Sequence, residues 1–448
     1  MNKVKIFCQE SMRQKIINSH NINWQNDGEP QVVVVKNGII HPITCPKNGI
    51  AEHKNYGGVT DEGLNFILLS NPKRFGGESL RSVEDWLIGA DITQNFENIK
   101  YMDIEVVYLG PIKRHLAHNY IEVFSRLWYF LDKTNLKYKI AFMSQKDDVI
   151  NWNLISFFFT KLGIDIDDLI EITEPTKFKS VIIPEQSCQL NGKAYKEYKV
   201  LFETYCKDIY TSNYEKVYFS KTYDIVSKFR DRCANWDLLD DIMQKNGFKV
   251  MYPELMSIEE MISALYNCKI FVAQSGSNAH NAIFCKDNCE IWVLNRSEHI
   301  HPYQTLIAQL RNFSTQYVDM FIPFLPVHWD IGPFGMIFSK YFLEFAKYNK
   351  IRYNSKKLDK QNKSSIYRTL ECWKFLYSSY ANSHLRYLKI SSDNLMDILN
   401  NLIKENRDKK SIKIRVKDFI KIFIPKSIWQ NLRNIKSRFI NLYYKNIR

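Results

Sequence analysis

Residues 216–223 read KVYFSKTY, and residues 235–295 read NWDLLDDIMQKNGFKVMYPELMSIEEMISALYNCKIFVAQSGSNAHNAIFCKDNCEIWVLN. Short apolar runs at 216–220, 249–252, 269–273 and 290–294 have the length and composition of buried strands. Between them lie helical patterns. Residues 235–246 put Leu238, Leu239 and Met243 on one face, and Gly247 follows as a stop. Pro253 ends the next strand. Ser257 with Glu260 three residues on is a capping box that opens a helix running to about Asn267. After residues 269–273 comes the loop Gln274-Ser275-Gly276-Ser277-Asn278, then a helical stretch through Phe284. Strand, helix, strand in this succession, with short loops, builds a Rossmann-like half.

Outward from this block, the upstream chain also alternates. Strand candidates fall at 4–8, 31–35, 105–109, 139–143 and 180–184, with helical patterns at 115–132 and 149–162. This predicts a second parallel, doubly wound sheet and an α/β fold class. Residues 45–100 are less regular. Asn191-Gly192 is a turn signal, and a linker is expected near 184–194. Downstream, residues 335–400 read as helical and aromatic.

The chain's 448 residues suggest two domains, and 45% hydrophobic with 14% aromatic residues supply a large core. The nine cysteines, at 8, 45, 188, 206, 233, 268, 285, 289 and 372, include no CxxC pair. Reduced thiols are therefore expected, without a structural metal or a disulfide framework. The opening MNKVKIFCQES is unlike a signal peptide, and no apolar run of membrane-spanning length occurs. Net charge is +14, much of it at the end: residues 404–448 hold 14 Lys/Arg against Glu405, Asp408 and Asp418.

The block that decides the fold resembles the family 61 glycosyltransferases. The matching positions are Ser220-Lys221, Gly247-Phe248, Pro253-Glu254, Ser257, and Gly276-Ser277 with Asn281 and Phe284. Two positions depart: many members have His where this chain has Ser275, and Arg where it has Lys221. Lysine keeps the charge but loses the bidentate fork, so the donor is not carried over. The resemblance implies a GT-B fold, two Rossmann-like domains facing a cleft, with inverting transfer and no bound metal. On that reading residues 1–190 form the acceptor-side domain and 200–335 the nucleotide-sugar domain. Residues 336–405 form a helical segment packing across both, and 406–448 a basic tail. A nucleotide sugar is then the donor substrate, and a growing bacterial capsule or lipopolysaccharide glycan, lipid-linked or free, the acceptor.

The physical reading agrees. A leaving diphosphate gains charge, which backbone N–H groups at a helix start and a cation can stabilise. The 275–278 loop offers the first and Lys221 the second. The candidate donor-binding set is Ser220, Lys221, Glu254, Ser275, Gly276, Ser277, Asn278 and Asn281. The bland alternative makes Gly276 a tight turn and Lys221 a solvated charge.

Residues 110–130, GPIKRHLAHNYIEVFSRLWYF, supply the catalytic candidates. Bacterial members of the resembled family often have a similar His, then Glu, then Ser-Arg-Leu-Trp. His118 and Glu122 are four apart and share a helix face. A histidine oriented by a carboxylate is a plausible general base for an acceptor hydroxyl. His115 is a rival, and Lys113 and Arg114 are candidates for holding phosphate or an acidic acceptor. Alternatively the histidine merely sits at a helix start above core Phe124, Leu127 and Trp128. His299 and His301, in RSEHIHPY, lack a third clustered ligand; Glu298 or His301 could touch the sugar.

In the tail, Ile428, Leu432, Ile435, Phe439 and Leu442 form a helical stripe among basic residues and Trp429, Tyr443 and Tyr444. This reads as an anchor on an anionic membrane surface, and predicts a cytoplasmic protein peripheral on the inner face of the cell membrane. Docking on the protein's own core is the alternative, and no recognised module suggests nucleic acid. Competing functions are another enzyme of the fold, such as a sugar-nucleotide epimerase or polyol-phosphate-type transferase, and a non-catalytic carbohydrate-binding relative.

Overall fold

The computed structural model describes residues 4–44, 55–72, 87–91, 99–114, 116–144, 150–222, 233–234, 236–321, 334–362 and 365. His115, most of the expected helical segment beyond 362 and the whole basic tail lie outside the described residues. The chain divides into two compact units. One takes in the chain up to Phe219, with Gly247–Leu294 and Ile300–Val318; the other takes in Ser220–Asn246, Asn295–His299 and the chain from Asp319.

Eight described strands precede residue 190: β1 (Val4–Phe7), β2 (Val32–Lys36), β3 (Ile39–Thr44), β4 (Tyr56–Thr60), β5 (Lys100–Ile112), β6 (Lys139–Ser144), β7 (Leu169–Glu171) and β8 (Thr176–Pro184). Seven follow: β9 (Lys216–Phe219), β10 (Cys233–Ala234), β11 (Lys249–Met251), β12 (Ile270–Gln274), β13 (Glu290–Asn295), β14 (Ser314–Asp319) and β15 (Phe334–Gly335). The last and β10 pair as a two-stranded ladder in the second unit.

The upstream sheet is mixed, where the alternation predicted an all-parallel one. Its order is β4-β3-β8-β5-β6-β7, with β2 also on β8. Strands β8, β5, β6 and β7 are parallel. β2 and β3 both run antiparallel to β8, Val32 opposite Pro184 and Ile40 opposite Thr176. They form one line interrupted at Asn37-Gly38, where Asn37 takes φ 53°. The core on one face gathers Ile40, Val106, Tyr108, Ala141, Met143, Val181 and Ile183; these alternate along each strand as the pleat requires.

β1 is not part of that sheet. It pairs in parallel with β14, from Val4↔Thr315 to Phe7↔Val318, closing a six-stranded sheet of order β1-β14-β13-β12-β9-β11. The β1–β14, β13–β12, β12–β9 and β9–β11 pairings in it are parallel. The chain goes from β9 to β11 on one side, then returns to β12 on the other. The direction of winding therefore switches between β9 and β12, where open α/β sheets form a crevice at the carboxyl ends of their strands.

Local chemistry sets the elements. The helix Ile258–Leu265 has both bonds of its capping box: Ser257 N–H to Glu260 Oε2 at 2.8 Å and Glu260 N–H to Ser257 Oγ at 3.1 Å. The expected helix at 115–132 is shorter, an α-helix at Leu116–Glu122 continued by a 3-10 run at Phe124–Leu131. The expected linker at 184–194 is instead a packed turn. Residues 181–189 are buried, Gln189 N–H donates to Lys193 O at 3.0 Å, and Tyr195 N–H to Ser187 O at 2.8 Å. The Ser-Arg-Leu-Trp segment fastens this turn. Arg126, buried, donates to the carbonyls of Pro184 and Leu69. Trp128 Nε1 donates to Glu185 O at 2.8 Å and Ser187 Oγ to Ser125 O at 2.6 Å.

Candidate active site

β5 delivers the first group of residues. A register shift against β6 falls between Tyr108 and Gly110, and Gly110 takes φ 98° there, a backbone conformation that costs an L side chain. The strand then runs out through Lys113 into the helix Leu116–Glu122. Asn119 fastens that exit from both sides: its Oδ1 accepts from Lys113 N–H at 2.8 Å and its Nδ2 donates to Lys113 O at 2.7 Å. Asn119 thus ties the strand exit to the helix.

His118 and Glu122 meet as their spacing predicts. His118 Nδ1 lies 3.2 Å from Glu122 Oε2. The same oxygen accepts from Lys113 Nζ at 2.8 Å. Glu122 is fully buried, Lys113 nearly so, and His118 is 41% exposed. A buried carboxylate is costly unless paired, and Lys113 supplies the counter-charge. With Nδ1–H donating to Glu122, the imidazole keeps Nε2 as an acceptor. That supplies two things a general base needs: an oriented ring and a buried orienting group.

The second group sits at the carboxyl end of β12. Ser275 N–H donates to Leu294 O at 2.9 Å, tying the loop start to β13. Gly276 follows with φ 103° and ψ −152°, then a short helix at Ser277–His280. Asn281 closes it, donating to Asn278 O at 3.2 Å. Gly276, Ser275 and Asn278 are buried while Ser277 is exposed. Both amide atoms of buried Gln274 and the Nδ2 of Asn278 have no hydrogen-bond partner among the described residues. Buried polar atoms are ordinarily satisfied, so these amides offer hydrogen-bonding groups that a polar ligand could use.

Aromatic packing joins the elements that carry these two groups. Tyr120, between His118 and Glu122, stands edge-on to Phe284, with ring centroids 5.8 Å apart. Phe202 touches both rings, at 5.7 and 5.4 Å.

Ser220 and Lys221 follow the carboxyl end of β9, whose Phe219 pairs with Ala273 of β12, and open the second unit. There Ser220 Oγ donates to Asp240 Oδ1 at 2.7 Å and Thr222 Oγ1 to Asp240 Oδ2 at 2.8 Å. The Ser220 hydroxyl thus braces a turn. Glu254 is exposed on the 3-10 turn Pro253–Leu255 after β11. His301 packs edge-on to His280 at 5.7 Å, and Tyr303 to the same ring at 4.9 Å.

The sequence reading passed over His280, Gln274 and Asp240. His280 lies in the quoted loop helix and was open to notice. Asp240 was not, since nothing local links it to a serine twenty residues earlier.

Residues 116–292 match the family model described as Glycosyltransferase 61. No curated protein matches the chain. The glycosyltransferase 61 match opens at the helix bearing His118 and Glu122 and closes in β13, so it encloses both groups. It supports family 61 and, with it, glycosyltransferase activity in the broad sense. Among the described residues no helix is long and apolar enough to cross a membrane.

Proposed function

We propose that this protein transfers a sugar from a nucleotide sugar to a hydroxyl of a growing surface glycan, inverting the anomeric centre without a metal ion at the reacting atoms. The observation that carries the reading is the His118 imidazole held at 3.2 Å by a buried carboxylate inside the matched region. In this reading the two sheets are the acceptor and donor halves of a GT-B enzyme. His118 Nε2 takes the acceptor proton as the hydroxyl oxygen bonds to the anomeric carbon. The bond from that carbon to the diphosphate oxygen breaks, and its electron pair leaves with the diphosphate. The first N–H groups of a helix lack intrahelical partners, so Gly276, Ser277 and Asn278 are suited to receive the leaving charge.

Incubation with a panel of nucleotide sugars, read by mass spectrometry, tests this. Transfer to a glycan acceptor, or donor hydrolysis without one, supports it. Epimerised donor, or binding without turnover against every acceptor tried, overturns it. Turnover in a short assay is expected to survive EDTA, and abolition with rescue by a divalent ion would rule out the metal-free mechanism.

The tail, residues 406–448, is proposed to hold the enzyme at an anionic membrane surface, where each basic group near the lipid contributes on the order of 1 kcal/mol. Protein truncated at Asp408 should keep its fold and nucleotide affinity but no longer sediment with anionic liposomes. Equal sedimentation of both forms would remove the tail from the membrane.

A further inference from the structure

Three cysteines that the sequence scatters come together in the fold. Cys268 precedes β12, Cys285 ends the turn after the Ser277–His280 helix, and Cys289 precedes β13. Cys268 Sγ lies 3.9 Å from Cys285 Sγ and 3.8 Å from Cys289 Sγ. All three sulfurs lie within 4.8 Å of one another, and all three residues are buried and free of disulfides. Among the described residues no histidine or carboxylate joins the group.

We propose that Cys268, Cys285 and Cys289 bind one thiophilic d10 cation of the Zn²⁺ class as a structural site. Zinc–thiolate bonds of about 2.3 Å arranged tetrahedrally separate their sulfurs by about 3.8 Å, which is the spacing of the two closest pairs. A disulfide needs sulfurs about 2.05 Å apart and would leave one of the three unmatched. The sulfur-only donor set selects soft ions over Mg²⁺ or Ca²⁺. A fourth ligand such as a water would complete the tetrahedron.

The site lies at the amino ends of two parallel strands, whereas the Ser275–Asn281 loop springs from the carboxyl end of β12, about 16 Å away along a five-residue strand. The ion would therefore brace the strand–loop–strand unit that carries the loop and take no part in transfer. This inference does not depend on the donor or the reaction.

The test uses the full chain, reduced and stripped of metal under anaerobic conditions, then titrated with Zn²⁺. One equivalent should bind, and zinc-edge X-ray absorption should show three sulfurs at about 2.3 Å. Cys289→Ser should weaken binding at least tenfold. Because that variant disturbs a buried position, a second variant carrying Cys45→Ser, Cys233→Ser and Cys372→Ser serves as its complement and should keep the three-sulfur shell. Substoichiometric binding, a shell with fewer than three sulfurs, or loss of the shell in the triple variant would overturn the proposal.

Discussion

His118 is half open to solvent while the carboxylate that orients it is sealed, and this asymmetry separates two kinds of variant. His118→Ala should leave thermal stability nearly unchanged and lower kcat by about two to four orders of magnitude. Glu122→Gln should lower kcat as well, but it also removes the charge that Lys113 pairs with. Removing one partner of a buried pair costs about 3–5 kcal/mol, so its melting temperature should fall where that of His118→Ala does not. Equal losses of stability in the two would show that His118 is a packing residue. Gly276 makes a different case. Its φ of 103° with ψ −152° is open almost only to glycine, and an alanine there costs on the order of 1–3 kcal/mol of backbone strain. Gly276→Ala should lose that much in chemical denaturation and bind a nucleoside diphosphate more weakly in calorimetry. The His118–Glu122 contact was legible because helical spacing four apart is local. Lys113 reaches the same carboxylate only because Asn119 locks the turn between strand and helix, which no local pattern announces.

At the scale of elements, the downstream half was legible nearly strand by strand. Each signal there is short-range: a capping box, a glycine stop, a proline after a strand. Ser257→Ala should cost about 1 kcal/mol, read as a lower denaturation midpoint with an unchanged slope. An unaffected midpoint would mean that Glu260 alone caps the helix. The upstream sheet was harder. Asn37-Gly38 reads as a turn, yet the chain on either side continues along β8 in one register, so antiparallel strands stood where alternation suggested parallel ones. The 184–194 segment misled for a related reason. Asn191-Gly192 signals a turn wherever it occurs, and only the long-range bonds that join Arg126, Trp128 and Ser125 to that region decide that it is buried. The cysteines teach the same point, since residues 268, 285 and 289 converge only once two parallel strands are laid side by side.

Over the whole molecule, two histidines, His41 buried and His20 half-buried, tie distant parts and make the fold sensitive to acid. His20 Nε2 lies 3.0 Å from the Tyr317 hydroxyl of β14, and His41 Nε2 2.9 Å from Thr60 Oγ1 of β4. Burial lowers both to about 4 from the ordinary 6.5. Between those values the unfolded chain binds more protons than the folded one. Their contribution is therefore complete above about pH 6.5 and lost as the pH falls toward 4, on the order of 3 kcal/mol for each. His20→Gln should flatten the fall in melting temperature across that window, and an unchanged profile would mean that other groups set it. The pairing of β1 with β14 has a consequence of another kind, in time. Val4 leaves the ribosome well before its partner Thr315, with most of the described chain made in between. At roughly 5–20 residues per second, the wait is on the order of 15 to 60 s. Through that interval the nascent sheet lacks its outer strand and the nascent strand lacks its sheet, each with bare backbone donors and acceptors. Synthesis of this protein is therefore exposed to mispairing between neighbouring chains on one message, and its yield should depend on what shields that strand while it waits.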